Sequence, residues 1–182
     1  MGKAAMIVAV FSAVAVGLAW AALQNVAPDA VTKATTYNPY EGDISVLTDG
    51  KYPGNDPNPG SFRWLSKGIL AVELPRPMEL KEFRIYVGEE AGGYKVKAYL
   101  GGKLNPEGLG RSPEGELKAE VEDASYATDT WVTLKFPPGT VADNLEFWTF
   151  GAAEFYEMQI LVASKEAVEE CTWGKVKAAF RQ

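Results

Sequence analysis

The chain has no histidine among its 182 residues and only one cysteine, Cys171. Without histidine there can be no Ser-His-Asp or Cys-His relay, no imidazole-based zinc or copper site and no haem attached through C-x-x-C-H. A lone cysteine cannot close an internal disulfide, and a chain of this length can bury a core without one. Basic residues are also scarce. Lys and Arg number 18 against 24 Asp and Glu, a net charge of −6 with no basic cluster. Nucleic acid is therefore a poor partner, as is an anionic lipid surface for the soluble part. There is no G-x-x-x-x-G-K-[ST] phosphate cradle. Carboxylate pairs could still act as acid and base, but the acidic cluster Glu114, Glu116, Glu120, Glu122 and Asp123 reads as a solvated face. The expectation is a protein that is not an enzyme.

The N-terminus, by contrast, is rich in apolar residues. Ala4 to Leu23 is twenty residues without a charge, and a helix of that length spans the roughly 30 Å hydrocarbon layer of a bilayer. Lys3 precedes it and Asp29 is the first charge after it, which places the N-terminus in the cytoplasm and the rest outside, in the periplasm or extracellular space. Ala5, Ala9, Ala13, Gly17 and Ala21 recur every four residues and would form a ridge of small side chains for packing against another transmembrane helix. Ala19-Trp20-Ala21 also suits signal-peptide cleavage, so residues 1–23 read as an anchor, with a cleaved signal as the alternative.

Residues 24–43, broken by Pro28 and Pro39, read as a linker. From Ile44 onward, short β-type runs alternate with turn-rich stretches, and the expected strands are 44–47, 69–74, 82–87, 94–100, 117–122, 131–136, 145–150 and 156–162. Phe83, Ile85 and Val87, then Tyr94, Val96, Ala98 and Leu100, then Val132, Leu134 and Phe136, then Met158, Ile160 and Val162 repeat with period two. Each set marks the buried face of one strand. About eight such strands over 44–163 predict an all-β jelly-roll sandwich. Residues 52–60 and 101–115, dense in Pro and Gly, read as long loops. Ser164 is placed to cap a short C-terminal helix over 164–182, with Gly174 able to interrupt it.

The order of these pieces resembles the discoidin, or coagulation factor 5/8 type C, family of galactose-binding-like β-sandwiches. The resemblance runs over Leu47-Thr48-Asp49-Gly50, Trp64, Ile69 to Leu74, Leu80 to Tyr86, Tyr94 to Gly101, Trp131 to Phe136 and Tyr156 to Ile160. It implies binding rather than chemistry: loops at one end of the sandwich presented to glycans, lipid headgroups or proteins. It also implies a structural calcium ion, whose ligands would fall at Asp49 and Glu157 with Asp56 nearby; oxygen donors suit that ion. A sugar would meet Tyr52, Phe62, Arg63 and Trp64, aromatic faces stacking on the pyranose and the guanidinium bonding its hydroxyls. The missing histidine departs from sugar-binding relatives.

Two functions follow. The first is a membrane-anchored accessory subunit, its helix packed against integral-membrane subunits of a larger complex, respiratory or photosynthetic, and its sandwich covering the outer face. The second is a secreted or surface-tethered carbohydrate-binding module.

Overall fold

The computed structural model describes residues 23–35, 38–90, 92–101 and 115–164. Ten strands lie among them: β1 (Leu23–Asn25), β2 (Val31–Ala34), β3 (Tyr40–Glu41), β4 (Phe62–Trp64), β5 (Gly68–Val87), β6 (Tyr94–Leu100), β7 (Glu116–Asp123), β8 (Thr130–Lys135), β9 (Val141–Thr149) and β10 (Ala153–Ala163). Every pairing is antiparallel. One layer runs β8, second half of β5, β10, β4, β3, with β1 also on β10. The other runs β2, first half of β5, β9, β6, β7. The all-β sandwich expected from the sequence is therefore present.

The core lies between the layers and is built from the period-two sets. Phe83, Ile85 and Val87 are fully buried, as are Tyr94, Val96, Ala98, Met158 and Ile160. Rings cross the interface: Phe83 stacks on Phe147 at 5.0 Å between centroids, and Phe147 meets Tyr94 at 5.7 Å and Phe155 at 5.4 Å. Burial of each such ring contributes about 1.5–3 kcal/mol. A register shift between Ala98 and Tyr99 changes the phase of β6. Tyr99 is buried as a result, and Leu100, expected to face inward, is half-buried instead.

Two expectations are corrected. Residues 44–47 form a short 3-10 segment, Ile44–Thr48, and not a strand. Asp43 caps it by accepting from Ser45 N–H at 2.9 Å; it ends at Thr48 with Asp49 as its C-cap, and the chain then turns at Gly50, whose φ of +79° suits glycine. Residues 24–43 are also more than a linker. They supply β1, β2, β3 and a 3-10 turn, Ala27–Asp29, and bury Val26 and Ala27 in the core. Pro28 is tolerated because it sits in the first turn of that 3-10 segment. Asn25 Oδ1 fastens the start of the chain to β10 by accepting from both Ala27 N–H and Ile160 N–H.

No helix among the described residues is long and apolar enough to cross a membrane. The anchor segment, with Ala5, Ala9, Ala13, Gly17 and Ala21, lies outside the described residues apart from Leu23, which belongs to β1. The C-terminal helix expected over 164–182 also lies outside them beyond Ser164.

Candidate functional site

The strand ends Val87, Tyr94, Asp123, Thr130, Thr149 and Ala153 gather at one end of the sandwich, joined there by the connections 88–93, 124–129 and 150–152. Trp64 lies at the same end, opposite Ala153.

The four residues expected to hold a sugar do not come together. Phe62 and Trp64 are both fully buried, facing the core from β4, with ring centroids 5.2 Å apart and Tyr40 edge-on to Trp64 at 5.4 Å. Alternation along the strand turns Arg63 outward. Its Nε donates to Glu90 Oε2 at 3.0 Å, its Nη2 pairs with Glu90 Oε1, and Glu41 lies 3.8 Å from Nη1. The bond to Glu90 raises the guanidinium pKa, and the same bond lowers that of Glu90. Arg63 is thus committed to a structural pair.

Tyr52 belongs elsewhere. Asn55 shapes its loop: Asn55 Oδ1 accepts from Tyr52 N–H at 2.9 Å, and its Nδ2 donates to Gly50 O at 2.8 Å. The loop lays Tyr52 against two aromatics on the outer face of the first layer. Tyr52 lies 5.2 Å from Tyr86 and 5.2 Å from Trp131, and Tyr86 and Trp131 are 5.6 Å apart. Tyr156 of β10 extends the group, 6.1 Å from Tyr86. The register pairs Tyr86 directly with Trp131 across β5 and β8. The Tyr86 hydroxyl donates to the Asp129 carbonyl at 3.1 Å. All four rings remain half-exposed, forming an aromatic platform beside the loop end. Tyr86, Trp131 and Tyr156 are functional candidates that the sequence reading missed. The signal was there: each occupies an outward position, where a half-buried strand ordinarily carries a polar residue.

A second pair of aromatics stands at the tip. Tyr126 is 58% and Phe150 50% exposed. They flank Gly93, where a Cβ would meet Phe150 Cδ2 at 3.2 Å and the Tyr126 hydroxyl at 3.3 Å. Lys95 Nζ lies 5.8 Å from the centre of the Phe150 ring.

The expected calcium ligands are partly brought together. Glu157 is buried on β10, and its Oε2 accepts from Gly50 N–H at 2.9 Å. Burial pushes its carboxyl up to about 7, the Gly50 bond opposing and the charge of nearby Asp49 reinforcing the shift. No ion pair within 4 Å includes either carboxylate among the described residues. Asp56 instead caps its own loop by accepting from Asn58 N–H at 2.9 Å. No cluster of three acidic side chains suited to a metal occurs among the described residues.

No protein-family model matches the sequence, and no curated protein matches it. Solved structures resemble it in fold. A fucose-binding module from Streptococcus pneumoniae aligns with a TM-score of 0.54 at 14% identity, over 78% of this chain and 96% of that one. A CBM32 module from Clostridium perfringens, in complex with GalNAc-β-1,3-galactose, aligns at 0.53 and 16% identity, over 75% and 99%. A second fucose-binding module from S. pneumoniae gives 0.53 and 13%, over 75% and 96%. At the level of fold, then, this chain resembles these modules, as the discoidin-like, galactose-binding-like β-sandwich expected from the sequence would.

Proposed function

We propose that the chain is a non-catalytic carbohydrate-binding module, secreted or tethered to a surface through the segment before Leu23. The observation that carries this reading is the platform of Tyr52, Tyr86, Trp131 and Tyr156. Four half-exposed rings on a rigid sheet offer what the apolar face of a pyranose needs, at small entropic cost because strands hold three of them. The described structures of similar fold are modules named for fucose or shown with a galactose-containing disaccharide, which supports a sugar as the ligand class. The accessory-subunit reading rests on the small-residue ridge before Leu23, the lack of catalytic groups and the acidic domain, and the described residues add no membrane-crossing helix to it.

The test is a glycan array followed by titration of whatever is retained. Trp131→Ala is expected to weaken binding roughly five- to tenfold with an unchanged circular dichroism spectrum, as expected when one stacked ring of about 1–1.5 kcal/mol is lost. Retention of every wild-type glycan by both Trp131→Ala and Tyr86→Ala would remove the platform from consideration. The intact mass of the purified protein separates the two modes of display: the full mass indicates a tether, and loss of about twenty-one residues at Ala21 indicates secretion.

Calcium would serve a structural purpose here. Asp49 and, from β10, Glu157 already accept from the Lys51 and Gly50 N–H groups, respectively, beside this turn; an ion there would take them as its two carboxylate donors and draw its other oxygens from backbone carbonyls of the loop. Its effect would be to fix the loop that carries Tyr52 against the platform.

A further inference from the structure

The platform is bordered by negative charge. Glu154 precedes Tyr156 by two residues on the same outward face of β10, and a side chain at Gly88 would collide with both Glu154 Oε2 and the Tyr156 ring. Glu89 follows Gly88 in the same loop, and Asp129 lends its carbonyl to the Tyr86 hydroxyl. Burial, then the charge and hydrogen bond of Glu154, then the charges of Glu89 and Asp129, raise the Tyr156 phenol, which places all three carboxylates within electrostatic range of that ring. None of the three has an ion pair within 4 Å among the described residues. Arg63 faces Glu154 directly across β4 and β10 and feels its charge, but it is held by Glu90 with Glu41 close behind; Arg84, two residues before Tyr86 on the same face, is paired with Glu82. Lys51, next to Tyr52, is exposed. Lys95 and Lys97 lie on the other layer, paired with Glu120 and Glu122.

Electron-rich ring faces beside carboxylates that no close ion pair neutralises favour an organic cation, which gains from cation–π contact and from charge attraction together. A neutral sugar gains only the stacking, and a uronic acid is repelled. We propose that the platform selects amino sugars, taking a protonated, non-acetylated hexosamine over its N-acetyl or carboxylate counterpart; this rests on the sugar-binding reading above.

The experiment uses the full chain in mild detergent and three probes: a β-1,4-linked glucosamine tetramer, the same tetramer fully N-acetylated, and an oligogalacturonate. Calorimetric titration at about pH 6 and low salt is expected to give roughly tenfold tighter binding of the amine than of the acetylated form. The gap should narrow as salt screens it, and the uronate should not bind. The double variant Glu89→Gln with Glu154→Gln is expected to bring the amine to within about twofold of the acetylated tetramer, whose own affinity stays unchanged. Equal or tighter binding of the acetylated tetramer overturns the selectivity and leaves sugar binding standing. So does a gap that survives the double variant. Silence of all three oligomers overturns the selectivity as well, and the glycan array then decides separately whether the sugar-binding reading falls.

Discussion

Trp64→Ala is expected to lower stability by about 3–5 kcal/mol, since it empties a fully buried site of its largest side chain. A melting temperature lower by roughly 10 °C or more, or an equivalent drop in the denaturation midpoint, would register it. Phe62 and Tyr40 would each lose a ring partner. Gly68 fits only because it has no side chain to meet the indole, so the void would open against backbone that cannot readily fill it. Trp64→Phe separates packing from polarity. The buried indole Nε1 has no hydrogen-bond partner among the described residues, so phenylalanine keeps a ring while removing a donor whose burial unpaired costs about 1–3 kcal/mol. That variant should stay within about 1 kcal/mol of the parent. If Trp64→Ala melts like the parent but loses glycan, Trp64 is a ligand contact and the burial described here is wrong.

Glu157 should make the domain less stable in mild alkali than in mild acid. Its folded carboxyl titrates at about 7 against an ordinary 4.5, so the folded protein holds the proton more tightly than the unfolded chain does. The contribution of the neutral acid is complete below about 4.5, is lost as pH rises through 7, and amounts to on the order of 2–3 kcal/mol. Glu157→Gln keeps an oxygen for Gly50 N–H and cannot ionise. With chelator present it should melt above the parent at about pH 8 and match it near pH 4.5. A parent profile flat between those values would show that the carboxylate is solvated after all. Added calcium reverses the order if Asp49 and Glu157 hold the ion: the parent then gains stability at pH 8 and the glutamine variant gains little.

The inward faces of several strands were legible because burial imposes alternation: β6, β8 and β10 lie close to where period-two patterning put them, and β7 and β9 overlap the runs expected at 117–122 and 145–150. The strands expected at 69–74 and 82–87 are one element, β5, whose pairing with β9 is interrupted at Pro75 and Pro77, resumes at Met78 and Glu79, and gives way to pairing with β10 from Leu80. Proline halts a helix but fits extended backbone where no ladder bond is required, so a sequence break need not be a chain break. Residues 44–47 misled because an apolar run of that length has no periodicity of its own; Asp43 and Gly50 at its ends held the better information. Strands β1 to β4, of two to four residues each, were too short to show a pattern. The site was less legible than the fold. F-R-W shows that Phe62 and Trp64 share a side and Arg63 the other, but not which side is the core. Only Tyr52 of the platform was singled out, because Tyr86, Trp131 and Tyr156 meet through the long-range register of β5 with β8 and β10.

The pairing of β1 with the last residues of β10, Leu23 opposite Ala163, has a practical meaning for display. Both chain exits of the sandwich lie together at the end away from the connections 88–93, 124–129 and 150–152. β10 spans the distance between, roughly 33 Å at about 3.3 Å per residue. Anything fused or immobilised at either exit therefore sits behind the domain, like a stem behind a flower head, and the rings of Tyr86 and Tyr156 stand well clear of the surface that carries it. A bead or membrane coupled at one terminus should leave glycan capture intact, and coupling at Tyr126 or Phe150 should block it.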